Sequence, residues 1–215
     1  MGRAHLHLFA LDEADEAPWS LSREEEERAA RFHFPQDHAR WRLGRHRIRQ
    51  TLARHVGLAA EALVFRVDDR GRPSLALAPA DFDCNWSHSG PWLVLAVSRH
   101  GRVGVDLEMI RDDFPALEVA EAFFTASEIR ALRAAPDQAA RQELFYALWT
   151  AKEALMKGTG LGAALEPGSI EVALHEGQPC RYASHPEWRL HFHRGPGWAL
   201  ALAEAGTFLP ATAAA

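Results

Sequence analysis

The sequence predicts a mixed α/β (α+β) fold in which helices and strand pairs follow one another in both halves of the chain. Three observations predict it. Two capping boxes, Ser22-Arg23-Glu24-Glu25 and Thr125-Ala126-Ser127-Glu128, each open a stretch of helical periodicity. Two apolar strand patterns, 92–97 and 103–108, flank the turn Arg99-His100-Gly101-Arg102. The tail carries three more strand patterns, at 170–174, 188–193 and 198–203. No clear sequence repeat relates the halves, and the boundary falls near Arg102-Val103, giving subdomains 1–102 and 103–215.

The elements follow in order. Residues 5–11 alternate as a first strand. The first capping box starts a helix that runs to about Phe32, where Pro35 interrupts it. Residues 37–56 form a second, arginine-rich helix closed by Gly57, and 63–67 a short strand. Asp69-Arg70-Gly71-Arg72-Pro73 is a turn, because glycine permits positive φ and proline fixes the exit. Asn85-Trp86-Ser87-His88-Ser89-Gly90 leads into the strand 92–97, and 103–108 returns from it. After Pro115 helical periodicity resumes, and a helix from about Gln138 runs to Lys157, with Gly158 and Gly160 as its stop. Residues 211–215 read as a frayed end.

Composition bounds the function. With 215 residues, 47% hydrophobic and 25% charged, the chain has the make-up of a soluble globular protein, and no apolar run approaches the roughly 18 residues of a membrane span. The start lacks the apolar core of a signal peptide, which points to the cytoplasm. Cys84 and Cys180 are too few for a disulfide framework and read as reduced and buried. The net charge of −5 opposes broad nucleic-acid binding. Locally the balance reverses: Arg28, Arg31, Arg40, Arg42, Arg45, Arg47, Arg49 and Arg54 share their window with one acid, Asp37. Such a window is a solvated helix face, a phosphate cradle or a dock for an acidic partner.

Candidate chemistry gathers at four places. Lys152 and Lys157 are the only lysines among 24 basic residues, and Trp149, Glu153 and Lys157 lie four apart on one helix face. Strand period two puts Asp106 and Glu108 on one face and Val105 and Leu107 on the other. Two adjacent carboxylates need a cation or a proton, and a hard divalent ion such as magnesium suits them. Ser87 and His88 are donors for phosphate oxygens. A nucleophilic serine is a weak reading, since neighbours on a strand point to opposite faces and no nucleophile elbow is present. His5/His7 and His191/His193 have metal-compatible spacing but no matching ligands, and read as solvent-facing positions.

Arg70-Gly71-Arg72-Pro73, Asn85-Trp86-Ser87-His88-Ser89, Gly104-Val105-Asp106-Leu107-Glu108 and the stretch from Trp149 to Lys157 resemble, in order and spacing, the motifs of the 4'-phosphopantetheinyl transferases of the surfactin-synthetase-activating (Sfp) type. Phe123-Phe124 before an acidic helix start also matches, and the resemblance spans roughly residues 20–165. It implies two similar halves related by a pseudo-twofold axis in a monomer, with coenzyme A in the cleft between a nucleotide-side N-terminal half and a C-terminal half bearing the metal and the catalytic helix. It implies transfer of the phosphopantetheinyl arm to a serine of an apo acyl or peptidyl carrier protein, with release of 3',5'-ADP. By motif position Asp106, Glu108 and Glu153 hold magnesium (or manganese), and Glu153, directly or through a water, takes the serine proton. Asp106 and Lys157 complete the catalytic set, with Lys157 also contacting coenzyme A. Ser87 and His88 hold phosphate oxygens, and Arg28, Arg70 and Arg72 surround the adenosine end. This chain departs from the family in carrying Arg72 where a lysine is frequent, Glu25 where some members have a basic group, and Trp86 before Ser-His. The alternatives are a non-catalytic coenzyme A or carrier-binding module and a magnesium-dependent phosphohydrolase.

Overall fold

In the computed structural model, which describes residues 4–12 and 19–205, the strands follow a similar order in the first and second halves of the chain. The first half contains β1 (His5–Ala10), helices α1 (Arg23–Ala29) and α2 (Pro35–Val56), the short hairpin β2 (Phe65–Val67) and β3 (Pro73–Leu75), then β4 (Asp83–Ser89) and β5 (Trp92–Ser98). The second contains β6 (Val103–Met109), helices α3 (Ala116–Phe123), α4 (Ala126–Arg133) and α5 (Gln138–Thr159), the hairpin β7 (Val172–His175) and β8 (Gln178–Tyr182), then β9 (Trp188–Gly195) and β10 (Trp198–Ala205). Each half thus builds an antiparallel three-stranded sheet with its last strand in the centre, in the orders β1-β5-β4 and β6-β10-β9.

Alternation along the strands sorts the apolar residues into layers. Leu93, Leu95 and Val97 of β5 pack with Leu43, Ile48 and Leu52 of α2. Val94 and Ala96, on the other face, meet Val103, Val105 and Leu107 of β6 and Leu200 and Leu202 of β10. Ala199, Ala201 and Ala203 then turn to α5, where they pack with Leu148, Ala151 and Leu155. The order is helix, sheet, sheet, helix, and both central strands are apolar on both faces because both are covered.

Several expectations hold at the level of single residues. Ser22 and Thr125 form complete capping boxes. Gly57 closes α2 at φ 71°, in the left-handed region that glycine enters without cost. Four others are corrected. Pro35 does not interrupt a helix but opens α2 at a first-turn position, where its missing N–H is harmless; α1 ends earlier, at Ala29. Strands 92–98 and 103–109 are not a hairpin, since β5 pairs with β1 and β4 while β6 pairs with β10. The turn between them carries the chain from one sheet to the other. A strand at 178–182 went unread, its alternation masked by Pro179 and by the reversal at Glu176-Gly177. Cys84 is buried, but Cys180 is exposed, and both are free. The expected frayed end at 211–215 lies outside the described residues. The histidine pairs also have partners: His7 Nε2 lies 3.1 Å from His55 Nε2, and His191 Nε2 lies 2.6 Å from Glu204 Oε2.

Gly158 does not stop α5; it is buried inside it, and the left-handed cap is Gly160 at φ 72°. What Gly158 permits is a close crossing of helix and strand. A Cβ at Gly104 of β6 would stand 2.0 Å from the Ala154 carbonyl oxygen and 2.2 Å from the Gly158 nitrogen. Backbone meets backbone here, so α5 has no flexible side chain to yield. Gly104→Ala is expected to destabilise the protein by about 1–3 kcal/mol or more, the range for overpacked cores. Urea denaturation of the purified variant measures it, and an unchanged midpoint would mean that helix and strand do not touch.

Candidate active site

The site begins at a seam between the sheets. One edge of β6 is bonded to β10; the other faces β4, with no backbone ladder between them. Side chains of β4 take the ladder's place. Asp83 Oδ2 accepts from the Val103 N–H at 2.8 Å, Asn85 Oδ1 from the Val105 N–H at 2.9 Å, and Ser89 Oγ from the Met109 N–H at 3.0 Å. Residues 83, 85, 87 and 89 share one strand face, so a single alternation supplies a polar residue to every second position of the neighbouring edge. An unsatisfied buried N–H is costly, and this arrangement leaves these three paired. Two of the same residues then reach across to carboxylates: Ser87 Oγ donates to Asp106 Oδ1 at 2.8 Å and Ser89 Oγ to Glu108 Oε2 at 2.8 Å.

Asp106 and Glu108 leave β6 on the face that α5 covers, as the alternation predicts. The close crossing at Gly104 brings the last turns of α5 over them. Lys157 Nζ sits 2.6 Å from Asp106 Oδ1 and 3.1 Å from Ser87 Oγ. The lysine therefore turns to residues distant in sequence, in place of an ion pair with Glu153 one turn back. Glu153 is half-buried beside them. Burial first, and then the charge of Asp106, raise its carboxyl above the ordinary 4.5, with Lys157 opposing. Burial likewise raises Glu108, which also feels Asp106 and Glu153. Three carboxylates and one ammonium thus share a partly desolvated space.

His88 points the other way from Ser87, into a cleft of about 720 Å³ on the N-terminal side. Burial and then the charge of Lys157 lower its imidazole below the ordinary 6.5, favouring the neutral ring. Arg28, Trp41, Arg45, Phe65 and Trp86 also line the cleft. The Arg45 guanidinium lies 4.6 Å from the Phe65 ring centre and 5.2 Å from that of Trp86. These aromatic walls had no role in the sequence reading beyond the oddity of Trp86. Their signal was the spacing of Trp41 and Arg45, one helical turn apart.

The arginine-rich window is mostly committed within the protein. Its counter-charges come from outside the window, which is why the local count was misleading. Arg45 and Arg49 both bind Glu25, and Arg49 also donates to the carbonyls of Ala60 and Leu63. Arg42 pairs with Glu26, and Arg40 with Asp12. Arg28 is exposed at the cleft, and Arg70 is exposed in its turn. Arg72 has other partners than a ligand. It forms an ion pair with Asp83 at 2.6 Å, and donates to the Val103 carbonyl at 2.8 Å and to the carbonyl of Lys157.

The donor set suits a hard divalent ion. It consists of carboxylate oxygens, and Asp106 Oδ2 is buried without a hydrogen-bond partner. Among the described residues no three His, Cys, Asp or Glu side chains already stand together as a metal-holding group. The chemistry of the donors therefore carries the fit.

Acids of this kind near an aromatic-lined cleft that carries arginines suit an enzyme that handles phosphate esters and anhydrides. Comparison with known proteins gives the family. The model for the 4'-phosphopantetheinyl transferase superfamily matches residues 102–203, and that for the 4'-phosphopantetheinyl transferase N-terminal region matches residues 12–100. The chain belongs to the 4'-phosphopantetheinyl transferase family. It is 34% identical over 193 residues to the 4'-phosphopantetheinyl transferase HetI of Nostoc sp., covering 86% of this chain and 80% of that protein. To Sfp of Bacillus subtilis it is 32% identical over 156 residues, covering 73% and 67%. To psf-1 of Bacillus pumilus it is 38% identical over 157 residues, covering 73% and 65%.

The other lysine plays a different part. Lys152 is buried, with its Nζ 2.8 Å from Glu128 Oε2 and 2.9 Å from the Pro167 carbonyl, and it also donates to the Ile170 carbonyl. Glu128 in turn accepts from the Thr125 and Val172 N–H groups, so the pair ties α4, α5 and the start of β7 together. Removing one partner leaves a buried charge alone. Lys152→Met is expected to cost about 3–5 kcal/mol, and Lys152→Met/Glu128→Gln to recover part of that. Thermal or urea unfolding of both variants checks the order.

Proposed function

We propose that this transferase moves the 4'-phosphopantetheinyl arm of coenzyme A onto a serine of an apo acyl or peptidyl carrier protein and releases 3',5'-ADP. The observation that supports this most is that Lys157 of α5 reaches Asp106 of β6, with Glu108 and Glu153 near enough to feel the Asp106 charge, next to His88, which lines the cleft with Arg28. Asp106, Glu108 and Glu153 would hold magnesium, or manganese in its place. When bound, the ion would neutralise charge on the diphosphate and on the leaving group.

The remaining steps belong to the protein's own side chains. Glu153 takes the proton of the carrier serine, directly or through a water. The serine oxygen forms a bond to phosphorus, and the bond from that phosphorus to the bridging oxygen breaks. The bridging oxygen leaves with the nucleotide. Lys157 stabilises the charge that develops there, since an ammonium in a desolvated place acts more strongly than in water. His88 donates to phosphate oxygens from the cleft wall, while the Ser87 hydroxyl, already given to Asp106 Oδ1, steadies that carboxylate from the opposite side of β4. Arg28 and Arg70 serve the adenosine end.

This reading includes a division of labour at residue 102. The N-terminal half offers the nucleotide side and the C-terminal half the acids and the catalytic helix, with the repeated topology read as a pseudo-twofold relation. It further includes a monomer acting in the cytoplasm, without nucleic acid or membrane as partner. No described helix is long and apolar enough to cross a membrane.

Incubation with coenzyme A, magnesium and a panel of apo carriers is expected to add one phosphopantetheinyl mass to at least one of them. Absence of any adduct across acyl and peptidyl carriers would overturn the proposal. Glu153→Gln is expected to lower the rate by about 10²–10⁴-fold with an unchanged circular dichroism spectrum. Full activity in that variant would remove Glu153 from the mechanism.

A further inference from the structure

Arg72 lies between two residues that line the nucleotide-side cleft, Gly71 and Pro73, yet it is itself outside that lining. Its guanidinium instead spans three parts of the chain. One nitrogen bonds the carboxylate of Asp83 at the start of β4, at 2.6 Å, and the carbonyl of Val103 at the start of β6, at 2.8 Å. The other bonds the carbonyl of Lys157 in the last turn of α5. Asp83 Oδ2 also accepts from the Val103 N–H, so carboxylate, strand end and guanidinium form a closed ring of hydrogen bonds. The side chains of Arg72 and Asp83 are 9% and 14% exposed, little enough that water does not weaken this ring greatly.

The placement on α5 matters most. The last carbonyls of a helix have no partner within it, and a cation there is favoured by the helix dipole. The carbonyl that Arg72 holds, which also accepts from the Gly160 N–H at 3.2 Å, belongs to Lys157, whose ammonium reaches Asp106 and Ser87. The guanidinium fork therefore fixes the backbone of the residue whose side chain faces the acids, and fixes it to both strands of the seam. A lysine has one nitrogen at a single point and cannot bridge three such acceptors with a planar fork.

We propose that Arg72 is a positioning residue. It clamps the C-terminal turn of α5 to β4 and β6, sets the position of Lys157, and does not read the 3'-phosphate of coenzyme A. This rests on the transferase reading above and replaces a phosphate contact by a structural one acting through Lys157.

The test compares Arg72→Lys, Arg72→Ala and Asp83→Asn with Arg28→Ala, using coenzyme A and 3'-dephospho-coenzyme A as substrates. In the three clamp variants kcat is expected to fall about tenfold to a hundredfold, the scale of a small misplacement near the chemistry. The ratio of KM for the two substrates stays at the wild-type value. Arg28→Ala, which touches the cleft, changes that ratio. A phosphate reader predicts the reverse: Arg72→Ala erases the difference between the substrates, and Arg72→Lys, which keeps the charge, restores it. Either outcome overturns the clamp.

A second measurement does not depend on activity. Hydrogen exchange of the amides in the last turn of α5 and at the start of β6 is expected to quicken at least tenfold in Arg72→Lys and Asp83→Asn. Unchanged exchange there overturns the clamp even if no carrier is ever modified. An inactive wild-type protein with quickened exchange in the variants overturns the transferase reading and keeps the clamp.

Discussion

Everything in the site depends on how the open edge of β6 is closed. A strand edge buried against another sheet must satisfy its N–H groups, and the usual answer is one more backbone ladder. Here side chains of β4 do it. The consequence is geometric: β4 directs its side chains at β6, and its serines reach Asp106 and Glu108. Polar side chains directed at an edge are thus both the joint between the halves and the inner wall of the site.

Charge is distributed with similar economy. The acids of the site are held in a partly desolvated place where burial raises Glu108 and Glu153, and a single ammonium, Lys157, stands against them. That imbalance separates the site from the rest of the molecule. Other buried or half-buried acids among the described residues have cationic partners: Glu25 two arginines, Glu128 Lys152 and Asp83 Arg72. A buried carboxylate oxygen without a partner, as at Asp106, is costly where it serves only folding and useful where a cation is to be received.

Much of this was legible in the sequence. The capping boxes, the two long helices and the alternation at Asp106 and Glu108 are local properties, and local physics decides them. The motifs also named the residues that the fold assembles between β6 and α5. What the sequence did not disclose is pairing at a distance. The chain reversal at 99–102 looks like a hairpin turn, and only the competing partners β4 and β10 decide otherwise. The arginine excess between 28 and 54 looked like free charge because its acids, Glu25, Glu26 and Asp12, stand outside the window. Gly158 looked like a helix stop because glycine commonly is one, whereas here its lack of a side chain admits Trp188 and the backbone of Gly104. Asp83, Asn85 and Ser89 had an alternation that could have been read as an edge-facing row, had the neighbouring edge been known.

The doubled topology sets a limit on symmetry. By strand order, the counterpart of β4 and β6 is β9 and β1, and among the described residues that second couple makes no comparable approach. Two sheets of like strand order could form two such seams, yet among the described residues one forms. The flank at β9 presents the exposed His193 and Arg194 instead. A repeated strand order therefore does not repeat the joint: one side is a polar seam, and the other is surface.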